Sequence, residues 1–136
     1  MDWIVDEKDL PGDYYGFIYK ITNLDNGKIY IGRKNFYTKR KRRFGKREIA
    51  KMEDKRARKW EWVIKESNWK TYNSSSKELK KDIKNGAKIK KEILHLVKDE
   101  NKMVYYETKY QFIHSVLEKG SYNRNILGRF YRTIFE

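Results

Sequence analysis

Residues 15–23, YGFIYKITN, crowd aromatic and β-branched side chains into one short run. That composition suits a pleated, half-buried strand. LDNGK follows, and Asn26-Gly27 is a hairpin-turn dipeptide. Residues 28–32 then read as the returning strand, closed by Gly32 where the backbone must come close to a neighbour. Over 38–67 the chain is charged and poorly periodic until KWEWVIKE, which reads as helical. One or two helices and a mobile basic stretch are expected there. Ser75 or Ser76 can cap a helix over about Lys77–Lys84, with Gly86 ending it. KIKKEILHLV alternates in part, with Ile89, Ile93 and Leu94 apolar, and predicts a third strand.

The strongest helical pattern is DENKMVYYETKYQFIHSVLEKG, with Asp99 as its cap and Gly120 as its stop. Met103, Tyr106, Tyr110, Ile113 and Leu117 fall on one face at helical spacing. In the closing stretch, SYNRNILGRFYRTIFE, Asn123 and Asn125 suggest a turn. Phe130, Ile134 and Phe135 are expected to pack back onto the body. The sum is one α/β domain over 1–136: a small three-stranded antiparallel sheet flanked by helices, with a basic insert at about 37–68.

Charge changes the picture. The chain carries 33 Lys and Arg against 19 Asp and Glu, a net of +14. Residues 33–60 hold fourteen of the basic residues and three of the acidic ones. Such a cationic stretch binds polyanions by releasing their counterions, so nucleic acid is the expected partner. Arg33, Lys34, Lys39, Arg42, Arg43, Lys46 and Arg47 are the candidate phosphate contacts. Trp60, Trp62, Trp69 and Tyr72 follow; core packing is favoured for them over base stacking. There is no cysteine, which excludes disulfides, thiolate zinc sites and cysteine nucleophiles. His95 and His114 read as structural. The opening MDWIVDEKDLPGD is acidic without a signal-peptide pattern. No apolar run approaches the ~20 residues of a membrane helix. No membrane role and a cytoplasmic location are therefore expected.

Glu107 shares the apolar helix face, four residues after Met103 and three before Tyr110. A carboxylate turned inward needs a partner, either a Lys or Arg or a metal ion. Tyr19 and Tyr30, taken alone, read as packing partners across a hairpin.

Taken in order, these pieces resemble the GIY-YIG nucleases. Phe17-Ile18-Tyr19 and Tyr30-Ile31-Gly32, with ten residues between the tyrosines, are similar to the signature triplets. Arg40 stands ten residues after Tyr30, where the family places its arginine; Arg42 and Arg43 are neighbouring alternatives. NSSSKELKKDIKNGAKIKKEIL resembles the stretch leading through the third strand. Glu107 matches the metal-binding glutamate and Asn123, in SYNRNI, the asparagine. The likeness covers about 16–126 and is nearest to small phage-encoded, homing-type members. It departs in the first triplet, where Gly16 sits one place upstream, and in the length of the basic insert.

The resemblance implies an endonuclease that hydrolyses DNA with Mg²⁺ or Mn²⁺. Glu107 would hold the metal, and Arg40 would fork onto the phosphate. One of Tyr19 and Tyr30 would activate the water, with Asn123 orienting Glu107 or a tyrosine. Lys34 would add a phosphate contact. If phage-encoded, the enzyme would act in the host cytoplasm. Loose sequence specificity is expected. One site per chain implies nicking by a monomer or double-strand cutting by a dimer, and the sequence does not imply an oligomer. The competing reading is a non-catalytic basic protein that binds nucleic acid.

Overall fold

The computed structural model describes residues 2–4 and 12–136. Most of the acidic opening stretch lies outside the described residues. The chain divides into two compact units, one of residues 1–36 and 68–136 and the other of 37–67.

The larger unit is built on a sheet with strand order β1-β6-β2-β3. Its strands are β1 (Trp3–Ile4), β2 (Gly16–Asn23), β3 (Ile29–Asn35) and β6 (Ile89–Val97). β6, β2 and β3 are antiparallel neighbours, as the sequence suggests. The two-residue β1 adds a parallel edge beside β6. Every residue of the central β2 is buried or nearly so, and its alternation serves two cores. Phe17, Tyr19 and Ile21 face a cluster with Trp69 and Leu79. Ile18 faces Met103, Val116 and Leu117. Leu79 comes from α2 (Lys77–Lys84), capped by the Ser76 hydroxyl, which accepts from the Leu79 N–H. Met103 comes from α3 (Glu100–Ile113), whose N-cap Asp99 accepts from the Lys102 N–H. The sheet is thus covered on one face by α2 and the Trp69 turn, and on the other by α3.

Several sequence expectations change here. Gly32 does not end its strand; β3 runs on to Asn35. α3 stops at Ile113 rather than near Gly120, because Ser115 takes a positive φ and turns the chain. Ile113 is therefore exposed, and Leu117 reaches the core from the following loop. Phe130, Ile134 and Phe135 remain largely exposed. The terminal residue that packs back is Arg132, whose guanidinium donates to the Val116, Lys119, Ser121 and Asn123 carbonyls. Trp69 and Tyr72 do join the core of this unit.

The smaller unit is a two-stranded antiparallel ribbon, β4 (Tyr37–Arg43) with β5 (Trp60–Glu66), enclosing the one-turn helix α1 (Lys46–Ala50). KWEWVIKE is thus a strand, not a helix. Trp60, Trp62 and Ile64 recur at period two, and aromatic and β-branched side chains favour the pleated surface. The pair β7 (Asn125–Ile126) and β8 (Phe130–Tyr131) forms a short hairpin near the C-terminus.

Candidate active site

The two tyrosines come from neighbouring strands but are not opposite one another. Tyr19 pairs with Gly32 and Tyr30 with Ile21. The extra residue Leu94 on β6 makes a bulge where Tyr19 sits, and bulges re-aim side chains. The Tyr19 ring lies over Gly32 so closely that a Cβ there would sit 2.5 Å from the Tyr19 hydroxyl and 2.8 Å from Tyr30 Cε1. That explains a glycine in mid-strand. The Tyr19 and Tyr30 rings are tilted by 33° with centroids 6.1 Å apart, and Tyr72 packs edge-on behind Tyr19.

Tyr19 is 1% exposed. Tyr30 instead opens onto a cleft of about 650 Å³, along with Arg33, Ser75, Glu107 and Asn123. Its hydroxyl is 2.9 Å from the Ser75 hydroxyl. Burial raises both phenols above their ordinary value, Tyr19 strongly. Both are neutral at pH 7 in the absence of a nearby cation.

Glu107, on α3, turns its carboxylate into the same cleft with 21% of the side chain exposed. Burial raises its pKa and Arg33 pulls it back. Arg33 follows Gly32 on β3 and stands opposite Ile18, so it emerges on the α3 side of the sheet. Its Nη1 donates to Glu100 at 3.2 Å, while its Nε stays 3.8 Å from Glu107. The pairing with Glu107 is loose, leaving carboxylate lone pairs open to the cleft. Lys34, on the other face, lies 4.1 Å over the Tyr72 ring, and burial lowers its pKa.

β3 is an edge strand, so its outward N–H and C=O groups need partners. The loop after α3 supplies them. Tyr122 N–H donates to Ile29 O at 2.8 Å. The buried Asn123 side chain then does the work of a strand: Ile31 N–H donates to its Oδ1 at 3.0 Å, and its Nδ2 donates to Ile31 O at 2.8 Å. Gln111, from α3, donates to the same carbonyl at 3.2 Å. Both ends of the Asn123 amide are thus directed at the backbone between Tyr30 and Gly32, rather than at Glu107 or a tyrosine hydroxyl. Arg132 in turn donates to the Asn123 carbonyl at 2.9 Å and to the Ser121 hydroxyl at 2.6 Å.

Tyr30, Arg33, Glu107 and Asn123 therefore meet at one cleft, with Tyr19 buried directly behind Tyr30. Arg40 lies on β4 in the other unit, exposed, opposite Val63. Lys39, Arg42, Arg43, Lys46 and Arg47 belong to that unit as well. Arg42 is engaged there by Glu48 and Glu61. Ser75, Gln111 and Arg132 were not singled out as site residues. Ser75 carried a sequence signal, as one of three serines before α2. Gln111 and Arg132 carried none, since their roles depend on which backbone groups the fold leaves open.

Among the described residues, no group of three or more His, Asp or Glu side chains forms a metal cage. The donor set nonetheless fits a hard divalent ion of the Mg²⁺ type. Such an ion keeps several waters and needs only one or two carboxylates beside a substrate phosphate.

The three-stranded antiparallel core thus carries paired tyrosines on its hairpin, Asn123 and Gln111 along its β3 edge, and Glu107 in the adjoining cleft. Residues 3–131 match the family described as "Putative endonuclease segE, GIY-YIG domain", and the chain belongs to this family of GIY-YIG endonucleases. No curated protein and no solved structure matches the chain. No helix among the described residues is long and apolar enough to cross a membrane.

Proposed function

We propose that the chain hydrolyses phosphodiester bonds in DNA with a divalent cation held by Glu107. The supporting observation is the shared cleft, where the Tyr30 hydroxyl, the Arg33 guanidinium and the only loosely paired Glu107 carboxylate converge. GIY-YIG nucleases generally use a divalent metal; bound here, it would supply Lewis acidity at the scissile phosphate and favour ionisation near it.

Glu107 supplies the carboxylate that anchors the cation. Arg33 offers guanidinium donors to a phosphate oxygen once the substrate competes with Glu100 and Glu107 for them. Arg40 is the arginine that the family pattern assigns to the phosphate. Of the tyrosines, Tyr30 presents its hydroxyl to the cleft, with Ser75 holding it. Tyr19 fixes the Tyr30 ring from behind. With a bound cation offsetting the burial that keeps these hydroxyls neutral, a tyrosine would release its proton to solvent, and the resulting phenolate would take one from the attacking water. Asn123 fixes the backbone that carries Tyr30.

Of the remaining cations, Lys39, Arg43, Lys46 and Arg47 meet phosphates. Phosphate contacts position DNA without reading its sequence, so specificity is loose. The test is supercoiled plasmid incubated with Mg²⁺ or EDTA, beside Glu107→Ala. Relaxation that needs Mg²⁺ and disappears in the variant is expected. A wild type that shifts DNA without cutting it would leave a binding protein on a nuclease fold. A cleavage map with one long unique site would overturn the loose specificity.

A further inference from the structure

The ribbon of 37–67 has two unlike faces. The β4–β5 register places Lys39, Lys41 and Arg43 on one face, opposite Ile64, Trp62 and Trp60 respectively. The other face carries Arg42, whose guanidinium is already bound by Glu48 and Glu61 at 2.8 Å each. Those contacts hold the Glu48 carboxyl down at about 2. Among the described residues, ion pairs engage Arg42 and none engages Lys39, Lys41 or Arg43.

On the first face the cations rest on aromatic rings instead. Lys39 Nζ is 4.5 Å from the Trp62 centroid, Lys41 Nζ is 4.4 Å from Trp60, and Arg58 approaches Trp60 to 4.4 Å. Trp62 is nevertheless 43% exposed and Ile64 68% exposed. Trp62 and Ile64 thus stay open to water on the face that carries Lys39, Lys41 and Arg43.

Its chemistry suits nucleic acid. Residues 37–67 hold thirteen Lys and Arg against five Asp and Glu. Alternate residues of β4 lie about 6.8 Å apart, twice the strand rise. One DNA strand rises ~3.4 Å along the helix axis per charge while winding around it, which sets neighbouring phosphates about 6–7 Å apart, so the spacing suits adjacent phosphates. A two-stranded ribbon also fits the ~12 Å major groove.

We infer that this face is the DNA-contacting surface of the smaller unit. Lys39, Lys41 and Arg43 take backbone phosphates, and Trp62 packs its open ring against a base or sugar. As each phosphate draws a lysine away, the ring beneath becomes free to pack against a sugar or a base edge. The inference rests on the reading of the chain as a DNA nuclease and specifies which face of the ribbon meets the substrate.

The experiment is fluorescence anisotropy of a labelled 20-bp duplex with the full chain in EDTA, across a salt series. Lys39→Gln/Lys41→Gln should weaken binding about tenfold and flatten the log–log salt slope by about 2. Trp62→Ala should also weaken it about tenfold. Lys51→Gln/Lys65→Gln removes the same charge outside this face and should change affinity less than twofold. If the control pair matches the Lys39/Lys41 pair, or Trp62→Ala binds as wild type, the inference is overturned. Should Trp62→Ala unfold the ribbon, the lysine pair still decides the matter. Plasmid relaxation with Mg²⁺ separates the two readings. A wild type that cuts while the ribbon variants bind normally removes this inference alone. A wild type that neither binds nor cuts removes both.

Discussion

Gly32→Ala is the sharpest test of the site's packing. The added Cβ would lie 2.5 Å from the Tyr19 hydroxyl oxygen, 2.7 Å from Tyr19 Cζ and 2.8 Å from Tyr30 Cε1. Each of these is well inside van der Waals contact, so the rings must retreat by somewhat under 1 Å. Tyr19 has nowhere easy to go, being walled in by Trp3, Phe17 and Tyr72. Overpacking of this kind costs about 1–3 kcal/mol. The loss of glycine's extra freedom in the unfolded chain returns about 0.4–1 kcal/mol. The expected net is about 1–2 kcal/mol, or roughly 3–8 °C in Tm for a chain of this length.

Activity should fall further than stability, because a displacement approaching 1 Å in a reacting constellation can cost on the order of 100-fold. Gly27→Ala is the matched control. Gly27 has a φ of +77° and nothing within 4 Å of a Cβ, so alanine there is strained but touches no tyrosine. It should lose about 1 kcal/mol of stability and keep its cleavage rate per folded molecule. Thermal melts and initial rates of plasmid relaxation with Mg²⁺ measure both quantities. A Gly32→Ala protein that melts and cuts like wild type would refute the packing argument. Equal activity losses in the two variants would refute its localisation to the tyrosines.

Other consequences follow from single groups. Asn123→Ala leaves the Ile31 N–H without its partner and should cost about 2–3 kcal/mol in urea unfolding; a neutral result would mean the β3 edge needs no cover. Burial raises the Glu107 carboxyl above its ordinary value of 4.5. Between 4.5 and that raised value the folded chain keeps a proton the unfolded chain has lost, so this group's contribution to stability falls as pH rises through the window. The wild-type stability relative to Glu107→Gln should therefore decline from pH 4 upward; a difference that grows with pH would contradict the burial. Lys91 is buried, with its ammonium 4.3 Å over Trp3 and its pKa lowered to about 8 by desolvation. Its charge opposes folding below pH 8, and the opposition lifts as pH rises toward the ordinary 10.5. Lys91→Met should then be more stable by about 1–2 kcal/mol at pH 7 and lose that advantage near pH 10. An advantage independent of pH would point to packing alone.

What the sequence disclosed depended on how local the cause was. The α2 cap needs only Ser76 and the backbone three residues on. The central strand needs only its own run of large apolar residues. Both were legible. The end of α3 was not, because its chain turns at Ser115, a non-glycine residue in a positive-φ conformation that no residue-type rule anticipates. KWEWVIKE was misread because its charges obscured a period of two. The alternation of Trp60, Trp62 and Ile64 becomes decisive only once β4 is known to supply cations opposite them.

The site divides in the same way. Tyr19, Tyr30, Glu107 and Asn123 were named from the family resemblance, yet the reason for Asn123 could not be. It follows from β3 lying at the edge of the sheet, a fact of strand order rather than of any residue nearby. An edge strand carrying the tyrosine of the proposed mechanism has a physical problem: the backbone that should hold the side chain still has one ladder missing. Here the missing ladder is replaced by the Tyr122 N–H, the Asn123 amide and the Gln111 amide, with Arg132 gripping the loop that delivers the first two. The edge then stays open enough for Tyr30 to face the cleft while its peptide planes are fixed. A fourth full strand in that place would hold Tyr30 just as firmly, but it would cover the open side of the cleft, which the proposed function gives to the phosphate. Side-chain amides provide the hydrogen bonds of a strand without its bulk.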